Sequence, residues 1–275
     1  MKEIILCADD YGLNASVSQG IIQLLAQNRL SAVSCLTTFT GWKEQAAWLK
    51  KYQDQVALGL HFNLTEGKAL SLAYQSRYGK NFSPLPRVMV RAFLRKWEIT
   101  VLAQECQAQL DAFVAALGRL PDFIDGHLHI HQLPQVREAV LRVYERSLRG
   151  KNAYLRSVSN MVKSLDWGSQ LKQAIIYCCG AAAFQRRLKK QAVPHNTAFG
   201  GIYAFPQAAD YGRILPYFLK QISNKGLIMC HPGLDQNQGP QDLIAAARFH
   251  EYRYLSSEQF VADCQSAGVR LAKTV

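Results

Sequence analysis

Acidic residues are scarce in this chain of 275 residues: 20 Asp and Glu stand against 32 Lys and Arg, a formal charge of +12. The excess implies attraction to something anionic, such as nucleic acid, a phosphorylated substrate or an anionic membrane face, or simply a basic solvated surface. Charged residues of both signs reach only 19%, against 49% apolar; this excludes a disordered chain and supplies a packed core. No Cys-x-x-Cys pair occurs among the seven scattered cysteines, which argues against a zinc site built from cysteine. Most of them lie in apolar runs, as free buried thiols do. No apolar run reaches the ~20 residues that span a bilayer. No secretory leader is apparent, and the expected compartment is the cytoplasm.

What is present is an alternation. Strand-like runs at 3–8, 32–39, 56–62, 122–125, 153–156, 201–205, 226–230 and 269–272 are separated by helical stretches, among them 16–28, 43–52, 99–117, 134–148, 211–223 and 256–266. Pro134 is read as the opening of its helix. Such alternation predicts an α/β fold with a mostly parallel sheet, and seven or eight units predict a closed or partly closed barrel. Residues 63–86 are read as a long irregular loop. No internal repeat or domain boundary is visible, so one domain over 1–275 is expected.

Chemistry-bearing residues recur at the ends of these strands. Asp9 and Asp10 close the first apolar run, His61 the third; Asp125-Gly126-His127-Leu128-His129-Ile130-His131 follows the fourth, and His231 the seventh. In parallel barrels the site lies at the carboxyl ends of the strands. Two adjacent carboxylates at the lip of a core are costly without positive charge, and a divalent cation is the usual remedy. One Asp and two His would leave coordination positions free, and a second carboxylate could act as base on a bound water. Each residue also has a plainer reading. Asp9 or Asp10 could cap a helix, and His61 or His231 could be a hydrogen-bonded core histidine. His127, His129 and His131 alternate, so an extended chain would set them on one face. Nothing is assigned to His195 or His250.

Taken together, Ala8-Asp9-Asp10-Tyr11-Gly12-Leu13, Gly59-Leu60-His61-Phe62-Asn63-Leu64-Thr65-Glu66-Gly67, Asp125-Gly126-His127-Leu128-His129-Ile130-His131 and Cys230-His231-Pro232-Gly233 resemble the signatures of the YdjC-like carbohydrate deacetylases. That family includes chitooligosaccharide and hopanoid-associated deacetylases. The resemblance spans residues 8 to 233. It implies a distorted TIM-like (β/α) barrel related to polysaccharide deacetylase barrels, a divalent ion (Mg2+ or Zn2+), and removal of acetyl from an N-acetylated sugar. Position by position, it implies Asp10, His61 and His127 as metal ligands, Asp9 as base and His231 as acid. Leu128 interrupts the consecutive histidines that many relatives carry. The segment Arg248-Phe249-His250-Glu251 matches the family's C-terminal Arg-x-x-Glu element only loosely and is given no role. Asp125 is expected to orient a ligand imidazole.

The substrate is less defined. Trp42, Trp97, Trp167 and Tyr203 are candidates for stacking on sugar rings, although large aromatics are more often core. The apolar run 174–184 and the basic run Arg186-Arg187-Leu188-Lys189-Lys190 suggest peripheral contact with an anionic membrane, and hence a sugar carried on a lipid or phosphate; the plainer reading is a core helix with a solvated basic end. A metal-dependent phosphoester hydrolase is the alternative function. No nucleic-acid motif is present, and none of that class is expected as a partner. Self-association is left open.

Overall fold

The computed structural model describes residues 1–206, 210–234 and 242–274. Its strands are β1 (Lys2–Tyr11), β2 (Ala32–Cys35), β3 (Ala57–Phe62), β4 (Phe123–Gly126), β5 (Tyr154–Leu155), β6 (Phe199–Gly200), β7 (Gly226–Cys230) and β8 (Val269–Leu271). All neighbours are parallel, in the order β5-β4-β3-β2-β1-β7-β6, with β8 on the first residues of β1. Between β5 and β6 only the isolated Met161–Phe199 bridge appears among the described residues. The result is the distorted TIM-like barrel that the sequence implies, curled but not fully laddered.

Strand periodicity sorts the side chains into layers. Ile4, Leu6, Ala8, Val33, Leu58 and Ile228 face outward into one helix-covered cluster. Leu60, Phe62, Ile124 and Leu155 face outward into another. Ile5, Cys7, Ala32, Ala57, Phe123, Tyr154, Phe199 and Leu227 pack the interior. One pleat further toward the carboxyl end, the same inward positions become Asp9, Ser34, His61, Asp125 and Arg156, all buried. An apolar floor thus carries a polar layer.

Several elements differ from expectation. The strand placed at 201–205 is instead Phe199–Gly200, because Gly201 takes φ +95 and passes against the Met229 backbone, which ends the ladder. The loop at 63–86 contains the helix Leu72–Tyr78, capped by the Ser71 hydroxyl, and the start of the helix Leu85–Phe93. Pro134 lies two residues ahead of the helix Val136–Ser147, because Gln135 at φ 65 breaks the turn between them. The helix Ala245–Leu255 had no counterpart in the sequence reading.

Gly59 is required by packing. A Cβ there would lie 2.2 Å from the Phe123 ring, and that ring stacks on Tyr154 to fill the barrel floor. Gly59→Ala is expected to cost about 1–3 kcal/mol, the usual penalty of overpacking. Urea unfolding checks it; an unchanged midpoint would show that the floor can yield.

Candidate metal centre and active site

On a regular strand Asp9 and Asp10 would face opposite sides of the sheet. They do not, because β1 is bulged. Ala8 pairs Val33 and Tyr11 pairs Cys35, so β1 spends three steps where β2 spends two. Asp10 absorbs the extra residue in a left-handed conformation, φ 66. Asp and Asn tolerate that region better than most residues, and bulges re-aim side chains in this way. Both carboxylates therefore enter the polar layer, and both are buried.

Three strand ends meet at Asp10. Its Oδ1 lies 2.9 Å from His127 Nδ1 and 3.3 Å from His61 Nε2. One ligand atom from each of Asp10, His61 and His127 falls within a mutual 4.8 Å. The remaining nitrogen of each imidazole faces a carboxylate: His61 Nδ1 to Asp125 Oδ1 at 2.6 Å, and His127 Nε2 to Glu66 Oε1 at 3.4 Å. Ser34 also donates to Asp125 Oδ1 at 2.6 Å. Carboxylates behind imidazoles are the usual support of metal-ligating histidines, since they fix tautomer and ring plane. The local field favours positive charge. Burial opposes protonation of His61, yet Asp125 and Asp10 push its imidazole up to about 10. Burial would likewise raise the Asp10 carboxyl, but Arg248 and His127 hold it well below the usual range. This donor set fits a divalent ion with oxygen and nitrogen ligands.

A second acidic group, Cys7, Asp9 and Asp125, has metal-like spacing but already holds a cation. Arg156 is fully buried and donates to both oxygens of Asp9, at 2.6 and 2.7 Å. Its Nη2 also lies 2.5 Å from Asp125 Oδ2. The guanidinium fills that space, so among the described residues the group of metal-like spacing that remains is Asp10, His61 and His127.

His231 follows β7, the neighbour of β1 in the sheet. Its backbone N–H donates to Glu251 Oε2 at 2.5 Å, and its Nδ1 lies 4.0 Å from Glu251 Oε1. The Tyr203 hydroxyl donates to Glu251 Oε1 at 2.6 Å. Burial pushes the His231 imidazole down to about 4 and the Glu251 carboxyl up to about 7. Arg248, from the same helix as Glu251, donates to Asp10 Oδ2 at 2.7 Å and to Asp242 at 2.8 Å. Asp10 is thus clamped by one oxygen and offers the other to the histidines.

The sequence reading needs correction at three points here. The Arg248-Phe249-His250-Glu251 segment, given no role, supplies two residues that touch Asp10 and His231. His127, His129 and His131 do not share a face. Leu128 and His129 adopt left-handed φ of 53 and 60 inside a short 3-10 turn. His127 turns to Asp10, His129 lies against Phe199, and His131 meets the Arg156 carbonyl at 3.1 Å. Gly126 permits the turn, since a Cβ there would lie 2.8 Å from the His131 backbone nitrogen. Finally, Trp42, Trp97 and Tyr203 are core residues; of the four proposed stacking aromatics only Trp167 is exposed. His195 bonds the Val193 carbonyl, away from the centre. Arg156, Ser34 and Glu66 were missed. Arg156 ends the strand read at 153–156, so the rule that found Asp125 would have found it too.

The site is thus a polar layer at the carboxyl end of a barrel, with a triad of metal-like spacing and a carboxylate paired separately to Arg156. Residues 3–266 match the family described as YdjC-like protein, and the chain belongs to that family. It is 33% identical over 174 residues to the chitooligosaccharide deacetylase of Yersinia enterocolitica, covering 60% of this chain and 67% of the relative. It is 31% identical to that of Serratia marcescens, covering 49% and 53%, and 30% identical to the carbohydrate deacetylase of Danio rerio, covering 51% and 46%. The matches thus span about half to two thirds of these relatives. Among solved structures, a protein of Enterococcus faecalis described as a cellobiose-phosphate cleavage protein has the same fold, with TM-score 0.70 over 99% of this chain and 97% of that one, at 21% identity.

Arg156 is the internal counter-charge of the layer. Arg156→Met should cost about 3–5 kcal/mol, because it leaves Asp9 without a cation and Asp125 Oδ2 without a partner in the interior. Arg156→Lys should recover only part of this, since an ammonium cannot span both Asp9 oxygens in a planar fork. Denaturant unfolding of both variants checks the order; equal stability of Met and wild type would contradict it.

Proposed function

We propose that this chain, acting as one domain over 1–275, is a metal-dependent carbohydrate N-deacetylase that hydrolyses the acetamide of an N-acetylated sugar. The observation that carries the reading is the division of the buried carboxylates. Asp10 Oδ1 faces His61 and His127, while Asp9 is held apart by Arg156. The names of the Yersinia and Serratia relatives support the sugar as substrate class. All seven cysteines are free, which supports a reducing compartment, the cytoplasm.

Asp10, His61 and His127 would hold the divalent ion, Mg2+ or Zn2+. Bound there, it would supply Lewis-acid polarisation of the acetyl carbonyl and a more acidic water. Arg248 pins the other Asp10 oxygen, and Asp125 and Glu66 set the planes of the two imidazoles. Asp9 is the base. Arg156 orients it, and its Oδ2, which accepts from Arg156 Nη1, retains a lone pair for the proton of the attacking water. As the C–N bond breaks, the amine leaving group needs a proton and the acetyl fragment departs as acetate. His231 and Glu251 supply that proton as a pair. Burial keeps the imidazole neutral at about 4, while the adjacent carboxyl titrates at about 7 and stores a proton near neutrality.

The alternative, a phosphoester hydrolase of the two-metal kind, needs a second acidic site. The Arg156 guanidinium between Asp9 and Asp125 disfavours it.

Acetate release from N-acetylated saccharides, with and without added metal, tests the reading. Asp9→Asn and His231→Gln should each lower turnover by roughly 10²–10⁴-fold while metal content stays at the wild-type level. His61→Ala should lose the metal itself. Normal turnover in Asp9→Asn, or phosphate rather than acetate as product, would overturn the assignment.

A further inference from the structure

The chain's positive charge is not spread over it. Residues 67–97 contain no Asp or Glu and carry Lys68, Arg77, Lys80, Arg87, Arg91, Arg95 and Lys96. Residues 167–206 also contain no Asp or Glu and carry Lys172, Arg186, Arg187, Lys189 and Lys190. These twelve cations equal the net charge of +12, so the rest of the chain balances, with 20 Lys and Arg against 20 Asp and Glu. Residues 67–97 lie in the connection after β3, and residues 167–198 in the connection after β5, with β6 and its continuation completing the second segment; both connections leave the carboxyl ends of strands, the end that carries the site.

The same two segments hold most of the large apolar side chains left in water. Leu72, Val90, Phe93 and Leu94 are exposed in the first. The helix Leu85–Phe93 buries Val88 and Ala92 and turns Arg87, Val90 and Phe93 outward, with Leu94, Arg95 and Lys96 following. In the second segment the helix Trp167–Ile176 buries Ser169 and Gln173. Trp167, Leu171 and Ile175 recur every fourth residue on its outer side, with Trp167 81% exposed. Contiguous apolar surface on a monomer marks an interaction site. Apart from Arg77, paired with Glu98, and Arg187, paired with Glu138, these cations have no carboxylate partner among the described residues, and apolar residues interleaved with them match the interface of an anionic bilayer, which takes the apolar tips below the headgroups and pairs the cations with lipid phosphate. Nucleic acid would use the cations but leave the aliphatic ridge in water. The apolar run 174–184 and its basic neighbour 186–190 form only part of this surface: Phe184 and Leu188 are buried, and Arg187 pairs with Glu138 at 3.5 Å.

We infer that the carboxyl-end connections 67–97 and 167–206 form a peripheral docking surface for anionic lipid bilayers. The inference is independent of the reaction proposed above, because its test reads binding and not turnover. No helix among the described residues is long and apolar enough to cross a membrane, so the contact would lie on the surface.

The test is co-sedimentation of the full chain with phosphatidylcholine vesicles, pure or containing about one third phosphatidylglycerol. Binding to the mixed vesicles is expected, at least ~10-fold weaker on the neutral ones and in ~1 M salt. Trp167 fluorescence should shift to the blue on binding, and W167F should lose the shift. The exposed-residue variants V90S/F93S/L94S and W167S/L171S/I175S should each weaken binding by ~10-fold or more at an unchanged thermal midpoint. No binding by the wild-type chain, or triple variants that bind as wild type does, would overturn the inference. So would tighter binding to a DNA duplex than to the mixed vesicles.

Discussion

Placing four carboxylates in one barrel mouth is the constraint on which the rest of this structure depends. Asp9, Asp10, Asp125 and Glu251 are all buried, and charge withdrawn from water must be paired or neutralised. The chain answers each differently. Arg156 spans Asp9 and Asp125. Arg248 takes one oxygen of Asp10. Glu251, bonded to Tyr203 and the His231 amide, rises toward neutrality and relieves its own charge. Only Asp10 Oδ1 is left facing two imidazoles that are themselves backed by carboxylates, and there the field favours a cation.

Local backbone conformations make this division. Left-handed φ at Asp10, Leu128 and His129 costs about 1 kcal/mol or more per residue. The first aims Asp10 inward beside Asp9. The other two separate His127 from His129 and His131 and deliver His127 alone to Asp10. Close approaches at Gly59 and Gly126 let the floor and the histidine turn pack beneath the polar layer.

Much of this was legible in the residues. Alternating apolar runs marked the barrel, and residues at run ends marked the layer, because inward positions at the carboxyl end of a parallel barrel are fixed by a period of two. Asp9, His61, Asp125 and the missed Arg156 all obey that rule. What obeyed no period was not legible. The bulge that turns Asp10 inward leaves no mark beyond a second Asp, and the histidine turn depends on two non-glycine residues in a glycine-like conformation. Arg248 and Glu251 were passed over because the buried face of their helix, Ala245–Leu255, carries both of these charges among Ala247, Tyr254 and Leu255, so no apolar stripe marks it. Trp42 and Trp97 looked like candidates for ligand contact because exposure cannot be read from residue type.

The most direct test of the central division is anomalous diffraction from crystals soaked in Zn2+ or Mn2+, collected at the metal edge. The account predicts a single buried peak bounded by Asp10, His61 and His127, with Arg156 still between Asp9 and Asp125. A peak among Cys7, Asp9 and Asp125 with Arg156 displaced, or two peaks in the barrel mouth, would contradict it.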